Sequence, residues 1–261
     1  MNLGTDIDEI LVDFEAGVLT LRMNRPAKKN ALIGPMYTRM AELMEAANHD
    51  ADVRVILLTG SETVFSSGND VASFTSSATD ASGELPSVRF LNTIAHCEVP
   101  LVAAVNGYAI GVGTTLLLHC DLVIAGDEAV FQTPFVDLGV APEAASSYTL
   151  PQRVGPQRAA EMLLLGERYT AQQALDWGLV NAVYPPDRFQ EEALTLARKL
   201  AKKPPTSLRA TKKLLRAPLL RHIEGAMQAE NAEFARCMQS PEFAEAITAF
   251  MERRAPDFSR C

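Results

Sequence analysis

The 261 residues are enough for one sizeable domain with an appendage, and an apolar fraction of 48% with 21% charged residues is that of a globular chain, not a disordered or fibrous one. A net charge of −8 argues against nucleic acid or an anionic membrane surface as principal partner; an anionic small ligand stays open, because a few local cations suffice to hold it. The N-terminal MNLGTDIDEI carries no basic stretch followed by an apolar core, and the C-terminal Ser259-Arg260-Cys261 is a poor peroxisomal address. Cys97, Cys120, Cys237 and Cys261 are scattered in neither a disulfide nor a zinc pattern. The expectation is a cytoplasmic protein with reduced thiols.

In chain order, residues 17–23 alternate as a strand and Asn24-Arg25-Pro26 stops it. A helix is expected over 35–47, with Met36, Met40, Leu43 and Met44 on one face, a stripe that reads as core and not as a ligand cage. The apolar run 53–59 reads as a buried strand leading through Gly60 to Phe65-Ser66-Ser67-Gly68-Asn69-Asp70. Serine, threonine, glycine and alanine dominate 73–84, which suggests a mobile surface loop. A helix over 88–96 follows.

Residues 101–119, LVAAVNGYAIGVGTTLLLH, form the most informative stretch. An apolar run breaks at Asn106-Gly107, passes Gly111 and Gly113, and resumes as an apolar segment, the pattern of a buried strand, a turn and a buried helix. Its 18 uncharged residues would suffice to span a membrane, but Asn106, three glycines and two threonines in the middle favour the strand-turn-helix reading. A dinucleotide fingerprint fails because Leu116 stands where its last glycine is needed. The glycines are open to two readings, close backbone packing or a turn whose free N–H groups hold an anionic oxygen. With the Ser66–Asp70 turn, two such segments are positioned to aim donors at one oxygen. Residues 121–125 read as another short strand.

From residue 188 the character turns to amphipathic helices, expected over 188–201, 205–217, 222–237 and 241–254. The organisation expected is a mixed core over 1–195 and a helical region over 196–261. Strands separated by helices imply a mostly parallel sheet, with ligands at the strand-to-helix turns.

Glu143 sits among Ala141, Pro142, Ala144 and Ala145. A glutamate with only small apolar neighbours suits a general base whose pKa burial has raised, and equally suits a capping carboxylate at the start of a helix over 144–150. Asp137 is the neighbouring candidate and reads as a surface or turn residue. The serines have no histidine near them in sequence, His119-Cys120-Asp121 reads as helix-end packing rather than a triad, and the histidines lack metal spacing. Arg25, Lys28 and Lys29 after the first strand are open to a phosphate or to solvent.

The motifs at 65–70, at Asn106-Gly107-Tyr108-Ala109-Ile110-Gly111-Val112-Gly113 and at Leu138-Gly139-Val140-Ala141-Pro142-Glu143 resemble, in order and spacing, those of the crotonase (enoyl-CoA hydratase/isomerase) superfamily. Residues 24–32 resemble its N-terminal signature, and 171–183 its A-x-x-x-G-L-V-x-x-V segment. The resemblance implies an α/β fold, a spiral of ββα units with a C-terminal helical region that assembles trimers or hexamers, and an acyl-CoA thioester as substrate, CoA entering with the substrate and no separate cofactor or metal. It also implies an oxyanion hole at the backbone N–H groups of Asn69 and Val112, with Ser66, Ser67, Gly68, Asn69, Asp70 and Gly111 lining the CoA site.

Two glutamates position water in the hydratases, and Thr115 and Phe135 stand at their positions here. Glu143 matches the single acid of the Δ3,Δ2-enoyl-CoA isomerase branch, which the segment P-E-x-x-S-S-Y closely resembles. The resemblance therefore implies proton shuttling by one carboxylate; dehalogenase-like or ring-isomerising chemistry and a silent acyl-CoA-binding subunit are the alternatives.

Overall fold

The computed structural model describes residues 7–71 and 84–261. The loop expected over 73–84 lies, but for Glu84, outside the described residues. The chain opens with a hairpin, β1 (Ile10–Glu15) and β2 (Val18–Met23), turned at Ala16-Gly17. Helix α1 (Gly34–His49) then buries Met36, Met40, Leu43 and Met44 as the sequence predicts, with Pro35 in its first turn.

From there strands come in pairs that visit two sheets in turn. β3 (Val55–Thr59) joins the first sheet and β4 (Val64–Ser66) the second, before α2 (Pro86–Ala95). β5 (Leu101–Val105) returns to the first sheet and β6 (Tyr108–Ile110) to the second, followed by the single turn α3 (Val112–Thr115) and a 3-10 turn to His119. β7 (Leu122–Gly126) and β8 (Val130–Gln132) repeat the step, and α4 (Ser146–Val154), α5 (Pro156–Leu165), β9 (Arg168–Thr170), α6 (Ala171–Asp176) and β10 (Ala182–Tyr184) complete the spiral. Among the described residues the first sheet runs β1-β2-β3-β5-β7-β10, parallel except at β1, and the second runs β4-β6-β8-β9, antiparallel only at β9.

The parallel strands β3 and β5 are buried along their whole length, as continuous apolar runs in a sheet covered on both faces should be. Ile56, Leu58, Ala103 and Val105 face the main core under α1 and α2. Leu57, Val102 and Ala104 face a smaller cluster closed by α7 (Phe189–Ala201). Helices α8 (Pro205–Cys237) and α9 (Pro241–Glu252) follow.

Two expectations are corrected here. The two helices expected over 205–217 and 222–237 are one helix of 33 residues that runs through Pro218. Proline removes the N–H that would bond the Leu214 carbonyl, and the helix continues through it with that one bond missing. The buried helix expected after Gly113 is one α turn finished by a 3-10 turn. No helix among the described residues is long and apolar enough to cross a membrane.

Candidate active site

β4 and β6 are parallel neighbours, so the turns leaving them emerge at one edge of the second sheet. Two glycines let these turns touch. A Cβ on Gly68, at φ +91°, would stand 2.8 Å from the Ile110 carbonyl oxygen, and one on Gly113 would stand 2.8 Å from that of Ser66. Ser66 is buried and stitches the first turn, donating to the Asn30 carbonyl at 2.9 Å and accepting from Gly68 N–H at 3.1 Å. Leu32 bridges to Asn69 through Leu32 N–H to the Gly68 carbonyl and Asp70 N–H to the Leu32 carbonyl. That pairing turns the Asn69 N–H to the other side, where among the described residues it donates to no protein acceptor. Val112 is the first residue of α3, and its N–H is likewise without a protein acceptor, while Gly111 N–H is used on the Gln132 carbonyl. The close contacts between the turns bring the two unused donors to the same edge.

Glu143 comes to this edge on a turn of unusual backbone. Ala144 and Ala145 both lie in the left-handed region, at φ 61° and 55°, immediately before α4. The carboxylate is only 7% exposed and hydrogen-bonds the side-chain amide of Asn69, while its Oε1 is buried with no protein partner. Burial raises its pKa to about 8, the nearby Glu230 carboxylate adds to the rise, and the Asn69 amide opposes it. Tyr37 of α1 donates its hydroxyl to Asn69 Oδ1, which fixes the amide with its NH2 group toward Glu143. Burial and the Glu143 charge push the Tyr37 phenol well above its usual value, so it stays a donor.

The capping role that the sequence left open for Glu143 is filled from elsewhere. Glu230 of α8 accepts from Ala145 N–H at 2.6 Å and Ser147 N–H at 2.8 Å, and also from the Ser147 hydroxyl. Glu143 contributes only its backbone carbonyl, bonded by Ser146 N–H at 3.0 Å. Its side chain is left for the site.

The enoyl-CoA hydratase/isomerase family matches residues 13–260. The chain belongs to this family, whose shared fold is the crotonase spiral. It is 39% identical over 250 residues to a rat protein named enoyl-CoA delta isomerase 2, a match that covers 94% of this chain and 64% of the rat protein, so the chain spans less than two thirds of that relative. It is 36% identical to the 2,3-dehydroadipyl-CoA hydratase of Escherichia coli K12, over 97% of this chain and 99% of that protein. A solved enoyl-CoA hydratase/isomerase structure from Pseudoalteromonas atlantica T6c superposes with a TM-score of 0.92 at 40% identity, covering 96% of this chain and 99% of that one.

In this crotonase fold the remaining sequence candidates take definite places. Ser67 is half-buried, with its N–H on the Lys29 carbonyl, and Asp70 is bonded to Arg25 at 2.8 Å. Lys29 and Arg168 lie over the Tyr108 ring at 5.2 and 5.6 Å, which gathers two cations beside the β6 edge. Thr115 and Phe135 are buried, and Thr115 Oγ1 has no protein partner. Asp137 is exposed on a short 3-10 turn, as the sequence suggests, and partial burial raises its carboxyl above the usual range.

His119 is not part of a triad: it donates to the Ala144 carbonyl at 2.8 Å, and Asp121 pairs instead with Lys212 at 2.8 Å. Among the described residues no group of three acidic, histidine or cysteine side chains is placed to hold a metal, and the four cysteines are free.

Sequence reasoning missed Tyr37, Glu230 and the side chain of Asn69. Tyr37 falls in an apolar helix pattern that reads as core, and Glu230 falls in a polar stretch of helix where one more glutamate carries no signal.

Proposed function

We propose that this chain isomerises 3-enoyl-CoA thioesters to 2-trans-enoyl-CoA. Glu143 removes the proton from C2, the C2–H electron pair moves into the thioester carbonyl to give a dienolate, and the N–H groups of Asn69 and Val112 hold the developing oxyanion. Glu143 then returns the proton to C4 and the double bond comes to rest between C2 and C3. The observation that carries this reading is the buried Glu143 carboxylate, whose Oε1 has no protein partner, on the edge that carries two unused backbone donors. A hydratase needs a second carboxylate to handle water, and Thr115 and Phe135 supply none. Lys29 and Arg168 are suited to the CoA phosphates, and no separate cofactor enters the scheme.

The test is a comparison of purified protein on 3-enoyl-, 2-enoyl- and aromatic acyl-CoA thioesters, with conjugation followed by near-ultraviolet absorbance. We expect isomerisation of the 3-enoyl thioester to exceed crotonyl-CoA hydration by at least about a hundredfold, the scale of one missing acid–base group. Comparable or faster hydration sinks the single-base reading. Turnover of the aromatic thioester alone moves the assignment to ring chemistry, and binding without any turnover moves it to a silent subunit.

A further inference from the structure

We propose that Glu230 is a positioning residue for Glu143: from α8 it clamps the left-handed turn that presents the base and holds a second negative charge beside it. The turn requires a clamp. Two consecutive alanines at positive φ are in a region that residues with a Cβ rarely occupy, and such backbone persists only where its surroundings over-determine it. Glu230 does so from one side, taking Ala145 N–H at 2.6 Å and Ser147 N–H at 2.8 Å on separate oxygens. His119 does so from the other, with Nε2–H on the Ala144 carbonyl at 2.8 Å. Glu143 is the residue immediately before this doubly held pair, so the aim of its carboxylate follows the clamp.

A neutral acceptor such as glutamine or serine would satisfy a helix start without the cost of a charge. Glu230 is buried, and burial raises its carboxyl above the usual range, while its three donors, the N–H groups of Ala145 and Ser147 and the Ser147 hydroxyl, pull it back toward the charged form. The groups facing Glu143 are the Tyr37 phenol on α1, the Asn69 amide, Glu230 on α8 and, through the Ala144 peptide, His119. Burial keeps His119 neutral, its pKa lowered to about 3, and the cations Arg153 and Arg216 act on that ring. The charge that acts on Glu143 is therefore that of Glu230. It makes Glu143 hold a proton more tightly, and so makes it a stronger base once ionised.

Glu230→Gln keeps the shape and one acceptor oxygen and removes the charge. The primary readout is the 13C carboxyl titration of Glu143 by NMR in glutamate-labelled protein, with the resonance identified by its loss in Glu143→Gln. We expect the Glu143 midpoint to fall by about half a pH unit or more on Glu230→Gln. The proposal rests on the isomerase reading only in its kinetic arm. There, the acidic limb of kcat for the 3-enoyl thioester moves down by the same amount, and kcat on the alkaline plateau falls about tenfold, as expected for a misaimed base, while KM stays within about twofold. A lower melting temperature with an unmoved Glu143 titration assigns Glu230 a purely structural role and overturns the proposal. Should Glu230→Gln fail to fold, Glu230→Asp keeps a carboxylate but retracts it by one methylene, and the Glu143 midpoint must again fall. Because the titration needs no substrate, failure of the isomerase assay leaves this test intact.

Discussion

A carboxyl group that keeps its proton to about pH 8 is a liability for the folded chain at every pH where the unfolded chain would have lost it. Below the ordinary value of 4.5 Glu143 is protonated in both states and contributes nothing. Between 4.5 and about 8 the unfolded chain is ionised while the folded one retains its proton, so stability falls as pH rises, by about 1.4 kcal/mol per unit. Above 8 the loss is complete, on the order of 3–5 kcal/mol. Glu143→Gln removes this loss. The variant is therefore expected to melt at a temperature equal to wild type at pH 4 and higher at pH 8, because Glu230 and not Glu143 caps α4. The same substitution should lower turnover by roughly two to four orders of magnitude while acyl-CoA binding survives, the usual scale for a lost acid–base group. Scanning calorimetry and a rate assay on one preparation read both effects, and a folded Glu143→Gln with unchanged turnover would be falsifying. Tyr37→Phe probes the same carboxylate through its partner. Without the hydroxyl the Asn69 amide is free to turn its oxygen toward Glu143, the hydrogen bond that favours the ionised base is lost, and the acidic limb of kcat should move to higher pH with KM little changed. An unmoved limb shows that the amide is held by other means.

At the scale of elements, the site depends on two turns meeting at Gly68 and Gly113. Gly113→Ala places a methyl carbon 2.8 Å from the Ser66 carbonyl oxygen, closer than backbone atoms tolerate, so α3 must shift away from the Ser66–Asp70 turn. The donors of Val112 and Asn69 then no longer converge, and we expect kcat to fall about 10²-fold with the fold retained by circular dichroism. An unchanged kcat would place the oxyanion donors elsewhere. This is also where sequence reading was strong. The glycines at 68, 111 and 113 and the apolar strands that carry them are local signals, because a missing side chain and a buried run are visible in any short window. The strands β4, β6, β8, β9 and β10 are three residues each, too short to show a period, and β1 is exposed at four of its six positions. The clamp on Ala144–Ala145 was out of reach for another reason. It joins residues 83 and 85 positions apart, and nothing near Glu230 in sequence distinguishes it from the other glutamates of a polar helix.

The whole molecule presents apolar residues that one chain does not cover. Leu164 and Leu165 on α5, Leu214 and Leu215 on α8, and Phe250 and Met251 on α9 are each more than half exposed. They occur as adjacent pairs. Consecutive helix residues point about 100° apart, so a helix that packs one stripe on its own core cannot bury both members of a pair lying on its open side. We expect a second copy of the chain to cover these pairs, two of which lie on α8 and α9. Leu208, Phe234 and Phe243 of the same two helices are half-buried within one chain, and we expect them to border that contact. We expect light scattering at micromolar concentration to give a mass that is a multiple of 28.3 kDa, three- or sixfold. Replacing Leu214 and Leu215 together by glutamate should shift the mass toward the monomer, because burying two unpaired carboxylates between subunits costs several kcal/mol against the apolar area they replace. The same variant should keep its helical content, since both positions are solvent-facing in the isolated chain. A wild-type protein that stays monomeric at these concentrations leaves the six side chains exposed without a partner and overturns the assembly.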